Sequence, residues 1–276
     1  MNKIMDGRLV RDTRKEELKK EITKLKEKLT LVVISVGEDP ASKVYVHEKE
    51  KMACDVGYQF INMHFDDIEE DKLIKEIEKL NNDVNINGII VQLPLPKTLN
   101  KNKILNTISP LKDVDGLTDL NFIKLIRKEK GLIPCTPKGI LSILDYYKVD
   151  LSKKVVIVGR SELVGLPLFH LLLNRNATVT LCHSKTKDLK SYTKDADILI
   201  VAVGKKELIS RDMVKDGSII VDVGINRENG KLYGDVENSS LEVASFMTPV
   251  PGGVGPMTVI SLMENVLEAY LLQKKN

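Results

Sequence analysis

The chain has 276 residues, 42% hydrophobic and 29% charged, with a net charge of +3. That length exceeds what one hydrophobic core usually fills, so two domains of roughly 100 to 150 residues are expected, and the composition excludes a disordered or fibrous chain. Lys and Glu are mixed throughout and aromatics make up only 4%, which argues against a nucleic-acid-binding face of clustered cations and stacking rings.

From Asp12 onward, Leu18, Ile22, Leu25 and Leu29 recur at helical spacing, and the β-branched run Thr30 to Val36 follows as a strand. A helix is expected from about Ser42 to Val56, stopped by Gly57. A strand near Tyr58 to His64, a helix from about Glu69 to Leu80 and an apolar strand from Gly88 to Leu93 come next. Such alternation predicts a mostly parallel sheet covered by helices. A loop-rich stretch holds Lys112-Asp113-Val114-Asp115-Gly116, and Pro134-Cys135-Thr136-Pro137 then leads into a helix ending near Tyr147, a plausible domain crossing. The second half restarts with Val155 to Val158 and Gly159, a helix to about Asn174, and strands over Ala177 to Cys182, Asp197 to Val203 and Ser218 to Val223, in the order of a dinucleotide-binding unit. A last helix, about Met257 to Leu272, follows a Pro/Gly loop and is expected to pack back on the first domain.

Cys54, Cys135 and Cys182 are widely separated and show no CxxC spacing, so neither a disulfide framework nor a metal site is expected and the compartment reads as reducing. The amino terminus is polar and no apolar run approaches about 18 residues, so no membrane segment is expected and the protein reads as cytoplasmic.

Gly159 and Gly165 flank an expected strand-to-helix turn at which helix N-terminal amides can meet a pyrophosphate, although the second glycine of the usual GxGxxG is lacking. A carboxylate at the end of the next strand would select NAD. The chain has Cys182-His183-Ser184-Lys185 there, and Arg160, Ser184 and Lys185 suit a 2′-phosphate, so the cofactor reads as NADP.

Ser42, Tyr45 and Lys49 are three and four residues apart and share a helical face. Gln92, at the end of a wholly apolar strand, requires a buried partner or a turn backbone to bond, and Asp115 follows a strand-like segment where open α/β sheets place ligand residues. Ala41-Ser42-Lys43-Val44-Tyr45-Val46 with Lys49, Val91-Gln92-Leu93-Pro94, Lys112 to Gly116, Pro134 to Pro137, Val158-Gly159-Arg160-Ser161 with Val164-Gly165, Asp222-Val223-Gly224-Ile225-Asn226 and Pro249 to Thr258 together resemble the bifunctional methylenetetrahydrofolate dehydrogenase/cyclohydrolase family over nearly the whole chain.

The resemblance implies an N-terminal folate-binding catalytic domain, residues 1–137, completed by the helix 257–276, and a Rossmann-like NADP-binding domain, 138–256. It implies Lys49 as the catalytic lysine, Gln92 as its hydrogen-bonded helper, Tyr45 beside the folate rings with Ser42 on the same substrate face, and Asp115 on the pterin's amino edge. Gly159, Arg160, Ser161, Ser184 and Ile225 fall on NADP-contacting positions, and Pro251 and Gly252 in a loop bordering the substrate. It further implies tetrahydrofolate derivatives as substrates and a homodimer, without nucleic-acid or membrane partners. Oxidation of a methylene between two nitrogens needs mainly positioning, whereas hydrolysis of the methenyl product needs a group that accepts and returns a proton. The alternatives are another two-domain NADP dehydrogenase acting on a small keto or hydroxy acid, and a folate-binding protein without turnover. The first would want arginines among the first-domain motifs, and Arg8, Arg11, Arg14 and Arg127 lie outside them.

Overall fold

The computed structural model describes residues 3–275, the side chain of Ala41 excepted; Met1, Asn2 and Asn276, at the ends of the expected folate domain, lie outside the described residues. The chain forms two compact units, one of residues 13–135 with 259 onward, the other of residues up to 12 with 136–258. Among the described residues no helix is long and apolar enough to cross a membrane.

In the unit holding residues 13–135, helix α1 (Gly7–Ile22) is followed by β1 (Thr30–Val36), α2 (Pro40–Val56), β2 (Gln59–Phe65), α3 (Glu70–Asn82), β3 (Gly88–Val91), α4 (Lys101–Thr107) and α5 (Asp119–Ile126). The sheet order is β2-β1-β3, all parallel. Every residue of β1 is buried, as an unbroken apolar run in a parallel sheet covered on both faces requires. Asp39 caps α2 by accepting from the Ser42 amide, and Gly57, at φ +97°, ends it in the left-handed conformation that residues with a Cβ adopt reluctantly. Leu73 and Ile77 of α3 pack with Val32, Ile34, Val91 and Ile104 to form the core.

The other unit contains α6 (Cys135–Tyr146), β4 (Lys154–Val158), α7 (Gly165–Asn174), β5 (Thr178–Cys182), α8 (Leu189–Thr193), β6 (Ile198–Val201), β7 (Ile219–Asp222), the hairpin β8 (Asn226–Glu228) and β9 (Lys231–Tyr233), and β10 (Phe246–Met247). Its five-stranded sheet runs β10-β7-β6-β4-β5, parallel throughout. The chain steps from β4 outward to β5 and then returns to the far side of β4 with β6. That reversal leaves a crevice at the carboxyl ends of β4 and β6, where open α/β sheets bind ligands. The amino-terminal residues extend the β10 edge: Met5 N donates to Met247 O at 2.9 Å and Met247 N to Lys3 O at 2.8 Å. They group with this unit, whereas the sequence reading assigns them to the folate domain.

The last helix, α9 (Val254–Gln273), begins three residues earlier than its spacing suggests. Its residues from 259 on belong to the first unit, where Gln273 Nε2 donates to Asn87 O and Leu111 O at 2.8 and 2.9 Å. The helical spacing of Leu18 to Leu29 also overreaches: α1 stops at Ile22, Leu25 N turns back to Ile22 O, and Leu29 is a buried residue entering β1.

Candidate active site

Helix α2 presents Tyr45 and Lys49 on one face, Tyr45 about half exposed and Lys49 half-buried. Lys49 Nζ donates to Gln92 Oε1 at 2.7 Å, and Gln92 Nε2 donates to Leu93 O at 2.7 Å. Gln92 is the first residue beyond β3, its amide held by Ile34 O of β1. Its side chain is therefore locked at both ends and offers a fixed oxygen to the lysine. Ser42 shares the helix face but is buried, its hydroxyl donating to Asp39 Oδ2 at 2.7 Å. It steadies the start of α2.

The two carboxylates of the Lys112–Gly116 stretch divide their labour. Asp113 accepts from Leu117 N, Thr118 N and Asn121 Nδ2 at 3.1, 2.8 and 2.9 Å and so builds the loop and the start of α5. Lys112 is structural too, donating to Leu80 O and Asp83 O. Asp115 instead lies near enough to Lys49 and the Cys135 thiol for both to act on its charge. Gly116, at φ +70°, passes so near the 133–134 backbone that a Cβ there would lie 2.6 Å from Ile133 C and Pro134 N.

Burial pushes the Lys49 ammonium down from its ordinary range, against the opposing pull of Asp115 and Cys135. Burial likewise pushes the Asp115 carboxyl up; the Lys49 charge and the Cys135 thiol oppose this, and Asp113 adds to it. Lys49, Gln92, Asp115 and Cys135 thus form one cluster in which a lysine is both oriented and eased toward its neutral form.

In the other unit, the strand ends gather the expected cofactor residues. Gly159, at φ +124°, follows β4 so tightly that a Cβ would sit 2.2 Å from Ala202 O, and one on Gly165 would sit 2.0 Å from Gly159 O. Both glycines let the turn and the start of α7 close against β6. Arg160, Ser161, Ser184 and Lys185 are exposed at the ends of β4 and β5, and Ile225 is half exposed beyond β7. Ser161 Oγ accepts from Val164 N at 3.2 Å and so shapes the turn into α7. No carboxylate occupies the residues 182–185 at the end of β5, which fits a 2′-phosphorylated dinucleotide. Pro251 is exposed and Gly252 buried in the loop before α9, with Gly252 O accepting from Gly7 N at 2.9 Å.

Sequence reasoning passes over three groups. The Cys135 thiol lies beside Asp115, a proximity that separation in the chain conceals. Asp222, at the end of β7, accepts from Gly224 N, Asp235 N and Val236 N. Asp235 accepts from Val203 N, Gly204 N and Lys205 N, so the two carboxylates knit the loops at the nucleotide edge. An apolar strand ending in Asp, as Ile219–Asp222 does, is the signal that would have found the first of them.

A parallel sheet with a nucleotide-type switch point in one unit and an oriented, half-buried lysine in the other make this a two-unit α/β protein of the dinucleotide-binding class. Two family models match the chain, the tetrahydrofolate dehydrogenase/cyclohydrolase catalytic domain over residues 5–115 and the NAD(P)-binding domain over 134–274. Bifunctional protein FolD of Ligilactobacillus salivarius is 50% identical over 272 residues, 96% of this chain and 95% of that one. The FolD dehydrogenase/cyclohydrolase of Campylobacter jejuni superposes with a TM-score of 0.96 at 44% identity, covering 98% of this chain and 99% of that one. The Trypanosoma brucei enzyme, solved with NADP and an inhibitor, gives 0.93 at 32% identity, with 99% and 98% covered. The chain belongs to the tetrahydrofolate dehydrogenase/cyclohydrolase family. It oxidises 5,10-methylenetetrahydrofolate with NADP and hydrolyses the methenyl product to 10-formyltetrahydrofolate.

Proposed function

We propose that Lys49 is the acid–base group of the hydrolytic step, that Gln92 fixes its geometry, that Asp115 anchors the pterin with Tyr45 against the rings, and that Arg160 and Ser184 take the 2′-phosphate of NADP. Residues 13–135 with 259–275 then serve folate, with Ser42 stiffening the reactive helix, while the unit of residues up to 12 with 136–258, which carries Gly159, Ser161, Ile225 and the loop of Pro251 and Gly252, serves the dinucleotide. NADP held by these residues would supply the hydride acceptor for the methylene carbon, whose oxidation product is a cation shared by the two flanking nitrogens. In the second step the neutral Lys49 amine takes a proton from the water that attacks this carbon. As the carbon–N5 bond breaks, Lys49 returns the proton to N5, and the former water's remaining proton leaves as the formyl group forms. Family membership supports a cytoplasmic homodimer whose product feeds purine biosynthesis.

The observation that carries the reading is the 2.7 Å bond from Lys49 to a glutamine locked on the sheet edge, in a setting that lowers the lysine's proton affinity. The test is Lys49→Met, which keeps the stem and removes the amine. General acid–base assistance is typically worth about a hundredfold to ten-thousandfold, so methenyl hydrolysis should fall by that factor while oxidation falls less. Hydrolysis at the unmodified rate, on a preparation with native circular dichroism, places the base elsewhere.

A further inference from the structure

Asp115 sits on a segment whose backbone is held from outside. Asn265 lies on α9 with no exposed surface, and its Nδ2 donates to two carbonyls, Val114 O and Ile133 O, each at 2.8 Å. The first belongs to the residue before Asp115, the second to the strand of chain that carries Cys135. Nδ2 is also 3.7 Å from Cys135 Sγ, and that thiol donates to Val114 O at 3.3 Å. One amide group therefore ties together the two segments that bring Asp115 and Cys135 to Lys49. The neighbouring α9 residue completes the seat: a Cβ on Gly88 of β3 would lie 2.6 Å from Val114 Cγ1 and 3.3 Å from Val266 Cγ2, so Val114 is pressed onto the strand with little room to slide.

We propose that Asn265 is a positioning residue for the folate site: its paired donation to Val114 O and Ile133 O sets where the Asp115 carboxylate stands relative to Lys49. The chemistry demands a primary amide here. Two buried carbonyls facing one point need two hydrogens from one small group, and a carboxamide supplies both without charge. Removing the donors leaves Val114 O with only the weak Cys135 thiol as donor and takes this bond from the part-buried Ile133 O, and the cheapest relief is for the 114 and 133 segments to part, carrying Asp115 with them. A displacement of about 1 Å at a reacting constellation costs on the order of a hundredfold in rate.

The proposal rests on Asp115 as the substrate anchor, and the experiment separates the two ideas. Asn265→Leu fills similar volume without donors; Met263→Ala, also fully buried on α9, opens a cavity without touching either carbonyl and controls for lost stability. Asn265→Leu should raise the Michaelis constant for methylenetetrahydrofolate tenfold or more and leave that for NADP within twofold, whereas Met263→Ala leaves both within twofold. Added to Asp115→Ala, the same change should raise the folate constant less than twofold further, because its effect passes through a carboxylate that is gone. Full multiplication in the double variant, or an equal effect of Met263→Ala, overturns the proposal. If Asp115→Ala alone leaves the folate constant unchanged, the anchor reading falls. The proposal is then decided by the pH profile of hydrolysis, whose rising limb must move in Asn265→Leu in the same direction as in Asp115→Asn. Should the leucine variant not fold, Asn265→Ser, which retains one donor, must give a smaller change of the same sign.

Discussion

At the scale of single residues, the pair Lys49 and Asp115 makes a signed prediction. With Lys49 as the proposed base, hydrolysis needs its neutral amine, so the rate should rise as pH passes upward through the Lys49 pKa, which burial lowers from its ordinary value. The Asp115 charge works the other way, stabilising the ammonium. Asp115→Asn removes that charge, so the rising limb of the hydrolysis profile should move to lower pH; a limb that stays put or moves up means the two groups are not coupled. Asp115→Ala should in addition raise the Michaelis constants of both reactions, since an anchor serves ground state and transition state alike. On the nucleotide side, Arg160 is exposed at the β4 end, and charge-assisted hydrogen bonds contribute about 1.5 to 3 kcal/mol each. Arg160→Ala should therefore cut the preference for NADP over NAD at least tenfold. An unchanged ratio of kcat/KM for the two cofactors assigns the 2′-phosphate to Ser184 and Lys185 alone.

Among elements, what the sequence reveals follows the physics of each. Long helices and fully buried strands announce themselves through period and apolar runs, so β1, α2, α3, β4 and α7 are legible within a few residues. Helices α4 and α5 are too short for a period, though Asn100 and Thr118 cap them by accepting from Lys103 N and Asn121 N and were readable as caps. The β8–β9 hairpin turns on Asn229-Gly230 at φ +49° and +76°, the strongest short-range turn signal in a chain. Two-residue β10 carries no such mark; only its neighbours define it. The Lys49–Gln92 contact is foreshadowed by a polar side chain ending an apolar strand, while Cys135 and Asn265 join the site through tertiary proximity that no local pattern encodes. The carboxylate ending β7 has a consequence for stability. Asp222 is 1% exposed and its pKa is pushed up to about 6, first by burial and in part by the nearby Asp235, against three donated amides. A carboxyl group whose folded pKa exceeds its unfolded value of 3.8 stabilises the fold fully below 3.8 and loses that contribution as pH rises through about 6. The loss is on the order of 3 kcal/mol. Denaturant unfolding at pH 4 and pH 7 should show this decline in the native protein and a smaller one in Asp222→Asn; equal declines would exonerate Asp222.

Taken as a whole, the molecule passes its chain between the two units three times, after residues 12, 135 and 258, so neither unit is a continuous stretch of sequence. The surface ion pairs, such as Lys154 with Asp195 at 2.7 Å and both side chains 63% exposed, contribute little to holding such a plan together. The first residues contribute more. Met5 is fully buried, the residue 3–5 backbone pairs with Met247, Asp6 N donates to Tyr147 Oη at 2.9 Å, and Asp6 Oδ1 accepts from Arg8 N at the start of α1. Deleting residues 1–6 therefore strips a core side chain and an edge of hydrogen bonds from the nucleotide-binding unit, although the sequence places them at the far end of the other domain. Losing a buried Met side chain costs about 2 to 5 kcal/mol, which for a chain of this size lowers the melting temperature by on the order of 10 °C. NADP binds the unit that has been loosened, and a ligand at a hundred times its Kd adds about 2.7 kcal/mol to the folded state. Saturating NADP should thus restore part of the lost melting temperature. A truncated protein that melts with the full chain would show that these residues merely lie against the sheet, and one that melts early but gains nothing from NADP would place their contribution outside the nucleotide-binding unit.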